Sequence, residues 1–210
     1  MTIVTLVLLI AIGGVVTWVN NTEDQAGPSP SSEIIDAKSG AIRIGQGPIT
    51  ISTYLDYMCA SCGTFEQLYG PVLREEAETG TITLAVHPIA IKDPSSQGTR
   101  YSSRAASATY CVAVNDPANV AGFIERLFRE QPADGTPGLT DRQLEDIASS
   151  SGSADSLECI REGKYMDYVK HQTRAAPTGD DGQVRTPTVL IDGRQISLED
   201  FGEKLVELAR

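Results

Sequence analysis

Short apolar runs occur towards both ends of the chain, and the apolar residues between them follow helical spacing. Runs rich in β-branched and aromatic residues, which are typical of strands, occupy residues 41–45, 48–57, 81–90 and 186–193, and a shorter partner follows at 195–197. From about Cys59 towards Glu78 the apolar residues recur on one side of a helix, which Pro71 is expected to kink or divide.

The middle of the chain, residues 97–176, has helical signals throughout, interrupted by the turn sequences NDP, PADGTPG and SGS. Thr140 and Ser153 are expected to cap helices at their N-termini. A last amphipathic helix is expected at 198–210. The order of elements is therefore β-β-α-β, several helices, and then β-β-α.

The start of the chain has a different character. Residues 3–19 carry no charge, and as a helix they would span about 26 Å, close to the thickness of a bilayer core. This predicts a transmembrane anchor at residues 1–20. The alternative is a cleaved signal peptide, although no A-x-A-like site follows. Residues 21–34 are polar, contain two prolines and indicate a flexible linker to the rest of the chain.

The formal net charge of −11 lies in the part of the chain that follows the apolar segment. Such acidity argues against nucleic acid and anionic lipid surfaces as partners.

Two of the four cysteines, Cys59 and Cys62, form a C-x-x-C pair. Such a pair suits a redox centre, half of a zinc site or a structural crosslink. Zinc would need two further ligands at similar spacing, whereas Cys111 and Cys159 stand alone and the chain has only two histidines. No metal site is therefore expected.

The position of the pair favours redox chemistry. A predicted strand runs into Cys59 and a predicted helix begins there, and the N–H groups and partial positive charge of a helix N-terminus favour a thiolate. We therefore expect Cys59 to be exposed, to have the lower pKa and to be the attacked sulfur, and Cys62 to be buried. The Ser61 hydroxyl is a further candidate for lowering the pKa of Cys59.

Four other side chains have less specific signals. Glu66 lies where a carboxylate would transfer protons or tune Cys59, but an ordinary solvated helix residue fits equally well. Asp56 is expected to be a structural acceptor in a turn. His87 and His171 are expected to be structural.

Two motifs about 125 residues apart carry a resemblance: Asp56-Tyr57-x-Cys59-x-x-Cys62-x-x-Phe65-Glu66, and Arg185-Thr186-Pro187-Thr188-Val189-Leu190-Ile191-Asp192-Gly193. Together they resemble the active-site segment and the cis-proline loop of DsbA-type thiol–disulfide oxidoreductases. The resemblance implies an α/β thioredoxin-like fold at 35–94 and 177–210, interrupted by an all-helical insertion at 95–176. It also implies that Thr186 and Pro187 bind the substrate peptide. Ala60-Ser61 departs from the Pro-His pair common in the best-known oxidases, which leaves the reduction potential open.

Cys111 and Cys159 lie on separate predicted helices of the insertion. In an exported domain, two lone cysteines in one subdomain more often pair than stay free, so a structural disulfide is expected. Two free thiols and a second redox relay are the alternatives.

These observations predict a membrane-tethered protein disulfide oxidoreductase without a cofactor, with its catalytic domain on the extracytoplasmic side. Cys59 and Cys62 would introduce disulfides into unfolded or reduced exported proteins. The resemblance implies recycling by a quinone-linked membrane partner of the DsbB or vitamin K epoxide reductase-homologue type. One alternative is a disulfide reductase or isomerase, for instance in cytochrome maturation; another is a non-catalytic peptide-binding or chaperone module.

Overall fold

The computed structural model describes residues 27–208, in which five strands form one mixed sheet in the order β1-β3-β2-β4-β5. The central strand, β2, is parallel to its neighbour β3, and the other pairs are antiparallel. The strands are β1 (Ile42–Ile44), β2 (Ile49–Leu55), β3 (Ile82–Pro88), β4 (Thr188–Ile191) and β5 (Arg194–Ile196).

Helix α1 (Ala60–Glu78) connects β2 to the parallel strand β3, as a crossover between parallel strands requires. The expected division at Pro71 does not occur, because α1 is continuous over 19 residues. Pro71 lies on the exposed side of the helix.

The helices of the insertion lie between β3 and β4. They are α2 (Tyr101–Asn115), α3 (Val120–Arg129), α4 (Asp141–Ser150), α5 (Leu157–Glu162) and α6 (Met166–Ala175). Helix α2 is almost wholly buried, since its many alanine and serine residues let the other helices pack closely around it. After β5, α7 (Leu198–Leu208) returns to the sheet domain, where Phe201 packs on Phe65 of α1. The expected α/β fold with a helical insertion is confirmed.

The two expected helix caps differ. Thr140 accepts a hydrogen bond from Gln143 N and forms a capping box with that residue at the start of α4. Ser153 precedes a short 3₁₀ turn rather than an α-helix, and its hydroxyl makes no capping bond. The expectation of a helix cap at Ser153 is therefore wrong, because the 3₁₀ turn at 154–156 comes before α5 begins.

The two cysteines of the insertion are joined by a disulfide. Cys111 on α2 and Cys159 on α5 have their Cα atoms 5.7 Å apart, and the bridge closes a loop of 48 residues. It thus crosslinks the central helix of the insertion to a peripheral one.

No helix within residues 27–208 is long and apolar enough to span a bilayer. The expected anchor at 1–20 lies outside the described residues, as does the first part of the expected linker. The rest of that linker is packed against the insertion: the Ser32 hydroxyl donates to Ala113 O at 2.7 Å, and Pro30 is buried. This part of the segment is therefore held against the domain rather than free.

Candidate active site

Cys59 lies between the end of β2 and the first residue of α1, where it is the N-cap of the helix. Its backbone is extended, with φ −73° and ψ 112°, and its carbonyl accepts hydrogen bonds from Cys62 N (2.9 Å) and Gly63 N (3.1 Å). The sulfur therefore stands beside the unpaired N–H groups of the helix start. Both Cys59 and Cys62 are free thiols.

Several donors stabilise the ionised form of Cys59. The Cys62 side chain and then the Ser61 hydroxyl, whose Oγ lies 3.1 Å from Cys59 Sγ, lower the pKa of Cys59 from an ordinary 9.0 to about 5, although burial opposes the shift. Cys59 is thus a thiolate at neutral pH. The expectation that it is exposed is wrong: only 4% of the residue is accessible. Ser61 and Thr186 lie against its sulfur and cover it.

Cys62 has the opposite character. It is fully buried one turn further into α1, and the backbone N–H of Asp56 approaches its sulfur at 3.5 Å. Burial raises the pKa of Cys62 well above its ordinary value. The pair is therefore asymmetric, with a thiolate at Cys59 and a protonated thiol at Cys62.

Asp56 organises the backbone that leads into Cys59. Its buried carboxylate accepts hydrogen bonds from Met58 N (2.8 Å), the Ser102 hydroxyl (2.7 Å) and Lys92 N (2.8 Å). Burial raises the pKa of Asp56 to about 6, although these hydrogen bonds favour the ionised form. Asp56 thus joins the active-site turn to the loop after β3 and to α2, a wider structural role than a local turn.

The second motif meets the first at Cys59. Because β4 is antiparallel to β2, with Thr188 opposite Tyr54, the residues just before β4 lie next to the end of β2. The Thr186 carbonyl lies 3.5 Å from Cys59 Sγ and 3.3 Å from Ser61 Oγ. The Thr186–Pro187 peptide bond is cis. Cys59, Ser61 and Thr186 therefore form one cluster.

Glu66 makes its ion pair outside this cluster. Its buried carboxylate pairs with Arg74 of the same helix, and burial raises the pKa of Glu66 against the opposing effect of Arg74. His87 is buried and stacked on Tyr54 with the ring centres 4.1 Å apart, and burial lowers the pKa of His87 to about 4. His171 is exposed on α6.

Gln131 is a contact of the active-site turn that the motifs do not reveal. It follows α3, and its side-chain amide donates to the carbonyls of Tyr57 and Cys59. It lies 72 positions from Cys59 in a loop without regular pattern, so no local signal marks it. Among the described residues, no group of three or more His, Cys, Asp or Glu side chains is placed to hold a metal ion.

The family described as thioredoxin matches residues 40–207, which is most of the chain. The chain belongs to the thioredoxin family. The match covers β1 to α7 and includes the helical insertion, the C-x-x-C pair and the proline loop.

Solved structures of thiol–disulfide oxidoreductases are similar to this thioredoxin-family chain. Oxidised DsbA from Mycobacterium tuberculosis is 28% identical with a TM-score of 0.69, and the match covers 80% of this chain and 92% of that one. MdbA, a thiol-disulfide oxidoreductase from Corynebacterium diphtheriae, has the same fold: it is 24% identical with a TM-score of 0.69, over 89% of this chain and 99% of that one.

A curated relative is the serine/threonine-protein kinase PknE of Mycobacterium tuberculosis, 31% identical over 133 residues. The match takes in 61% of this chain, and the chain spans about 23% of the kinase's length. Family, neighbours and paired cysteines together make residues 40–207 a protein disulfide oxidoreductase domain of the thioredoxin family.

Proposed function

We propose that this protein introduces disulfides into reduced, exported proteins through the Cys59–Cys62 pair. The observation that carries the proposal is the asymmetry of the two thiols, with the pKa of Cys59 lowered to about 5 and the pKa of Cys62 raised. A thiol of lower pKa is the better leaving group in thiol–disulfide exchange. Cys59 is therefore the sulfur that leaves as a thiolate when the second substrate thiol completes the exchange.

The exchange has two steps. A substrate thiolate attacks Cys59 Sγ of the oxidised pair, which forms a mixed disulfide, breaks the Cys59–Cys62 bond and leaves Cys62 to take up a proton. A second substrate thiolate then attacks the substrate sulfur of the mixed disulfide and releases Cys59 as a thiolate. The substrate loses two electrons and gains a disulfide, and the enzyme holds the two electrons as its reduced pair.

The low pKa of Cys59 supports the oxidising direction, since only the reduced enzyme contains this thiolate. After a discount for solvent screening, a shift of this size stabilises the reduced form at pH 7 by about 1–2 kcal/mol, or roughly 20–45 mV of reduction potential. Ser61 supplies one of the hydrogen bonds responsible, in place of the imidazole that the Ala60-Ser61 dipeptide lacks. Ser61 is thus a modulating residue in this proposal.

The substrate peptide is proposed to bind beside Thr186 and Pro187. The Thr186 carbonyl is within 3.5 Å of the attacked sulfur, so a peptide pairing with this segment would bring its cysteine to Cys59. Glu66 is proposed to act at most indirectly, because its carboxylate is held by Arg74 within α1.

The setting of the reaction is part of the proposal. Residues 1–20 would anchor the protein in the cell membrane, with the domain formed by 35–94, 177–210 and the insertion 95–176 on the extracytoplasmic side. The Cys111–Cys159 disulfide supports this side, since such bonds persist in oxidising compartments. A quinone-linked membrane protein of the DsbB or vitamin K epoxide reductase-homologue type would reoxidise the pair.

The test compares oxidation and reduction by the purified protein. The oxidised enzyme is incubated with a reduced unfolded protein, and the loss of substrate thiols is followed together with insulin reduction in a parallel assay. We expect stoichiometric disulfide formation that is abolished in Cys59→Ala. Faster insulin reduction than thiol oxidation would indicate a reductase or isomerase. A chaperone would be indicated if the unchanged protein neither oxidised thiols nor reduced insulin, and if the Cys59→Ala variant still bound peptides.

A further inference from the structure

The side-chain amide of Gln131 contacts the active-site turn from the helical insertion. Its Nε2 group donates one hydrogen bond to Tyr57 O at 3.1 Å and another to Cys59 O at 3.0 Å. An amide NH₂ group has two hydrogens, so both are used on this turn. Gln131 thus binds the backbone on both sides of Met58 and reaches the residue that bears the reactive sulfur.

Gly63 provides the space for this contact. A Cβ atom at position 63 would lie 2.1 Å from Gln131 Oε1, well inside van der Waals contact. Glycine within a helix is unfavourable relative to alanine, and Gly63 lies in the first turn of α1. Its missing side chain therefore has a specific role here, which is to let the Gln131 amide approach the helix start.

The bonded carbonyl of Cys59 controls the geometry around the sulfur. It accepts the first hydrogen bonds of α1, from Cys62 N and Gly63 N, so its orientation sets the direction in which the helix and its free N–H groups begin. The amide hydrogens of Gln131 also offset the partial negative charge of this carbonyl. Both effects favour negative charge at Cys59.

We propose that Gln131 is a positioning residue for thiol–disulfide exchange, which fixes the peptide planes around Cys59 from the helical insertion. The effect of Gln131 on catalysis rests on the proposed function, whereas its effect on Cys59 does not. The property that it controls, the ionisation of Cys59, is measured without a substrate. A wild-type protein that fails to oxidise substrates would contradict the proposed function and leave the positioning role to be judged by the titration alone.

The experiment titrates Cys59 in the reduced protein by thiolate absorbance and by the rate of alkylation, over about pH 3 to 9. Gln131→Met keeps the length of the side chain and removes both donors. Gly63→Ala keeps Gln131 and forces its amide away, while alanine favours the helix. Gln67→Met is the matched control, since Gln67 is exposed on α1, lines the groove between α1 and α3 that Gln131 also lines, and donates no hydrogen bond to the Tyr57 or Cys59 carbonyls.

We expect each of the first two variants to raise the pKa of Cys59 by about half a unit, which is a roughly threefold lower alkylation rate at a pH below both values. The double variant should show the shift of one variant and not the sum, because both remove the same contact. Gln67→Met should titrate as the unchanged protein does.

An unaltered pKa in Gln131→Met and Gly63→Ala, with or without a change in melting temperature, would overturn the proposal. Additive shifts in the double variant would also overturn it, since they would show that the two residues act separately. If Gln131→Met alone fails to fold, the pKa of Cys59 in Gly63→Ala decides between the two outcomes.

Discussion

Removing the Ser61 hydroxyl should make the protein a weaker oxidant. Ser61 Oγ lies 3.1 Å from Cys59 Sγ and 3.3 Å from the Thr186 carbonyl, so its single hydrogen has two acceptors. When Cys59 is a thiol, its S–H group donates to Thr186 O, at 3.5 Å. When Cys59 is a thiolate, the negative sulfur is the stronger acceptor, and the Ser61 hydroxyl turns to it. Ser61→Ala removes that donor from the ionised state alone.

The magnitude follows from the strength of a hydrogen bond to a charged group, about 1.5–3 kcal/mol. Ser61 is exposed, and solvent screening reduces this to about 1 kcal/mol. The pKa of Cys59 should then rise by about 0.7 unit, and the reduction potential should fall by roughly 20 mV. The potential falls because the thiolate stabilises only the reduced enzyme.

Two measurements check the Ser61 prediction: the thiolate absorbance of the reduced protein against pH, and the ratio of oxidised to reduced enzyme in glutathione buffers. Thr64→Ala is the matched control, because Thr64 is an exposed hydroxyl one turn along α1 that donates to Ala60 O rather than to a sulfur. An unchanged or lower pKa in Ser61→Ala, or an equal shift in Thr64→Ala, would refute the reasoning. A raised pKa without a lower potential would break the link between thiolate stability and oxidising strength.

Two further predictions concern stability. Replacing both Cys111 and Cys159 by alanine releases a loop of 48 residues, so the protein should lose about 4 kcal/mol and melt roughly 10 °C lower in calorimetry while it keeps its oxidase activity. A variant that stays folded but loses that activity would instead indicate that the pair is an electron relay. Burial raises the pKa of Asp56 from 3.8 to about 6, so between these pH values the folded protein holds a proton that the unfolded chain has lost. The free energy of unfolding should therefore fall by up to about 3 kcal/mol as the pH rises from about 4 to about 6. Urea denaturation of Asp56→Asn should lack that fall, and an identical pH dependence in the variant would show that Asp56 is not its source.

The parts of the site that the sequence predicts are those governed by local chain geometry. A strand that runs into Cys59 and a helix that starts after it are visible in the residues themselves, and so is the proline that follows Thr186. The acidity of Cys59 follows from that geometry, because helix N-termini favour anions irrespective of the rest of the fold. These features are therefore accessible from short stretches of sequence.

The burial of Cys59 was not predictable in the same way. It depends on Thr186 lying against the sulfur, a contact across 127 positions. The three partners of Asp56 likewise come from the turn itself, the loop after β3 and α2, and only the first is local. Gln131 is the clearest case, because nothing in its neighbourhood distinguishes it from other surface amides.

The separation of Cys59 and Thr186 along the chain also has a consequence for assembly. The two cysteines and α1 precede the insertion in the chain, whereas the Thr186 segment follows it. The Thr186 segment reaches Cys59 only when β4 pairs with β2, and this requires that the whole insertion has already been synthesised. Such long-range pairing is slow to form and closes a large loop. A chain caught before that step therefore carries a dithiol without the surface that covers it. The environment of the Cys59 sulfur is therefore a property of the finished fold, because it requires the pairing of β4 with β2.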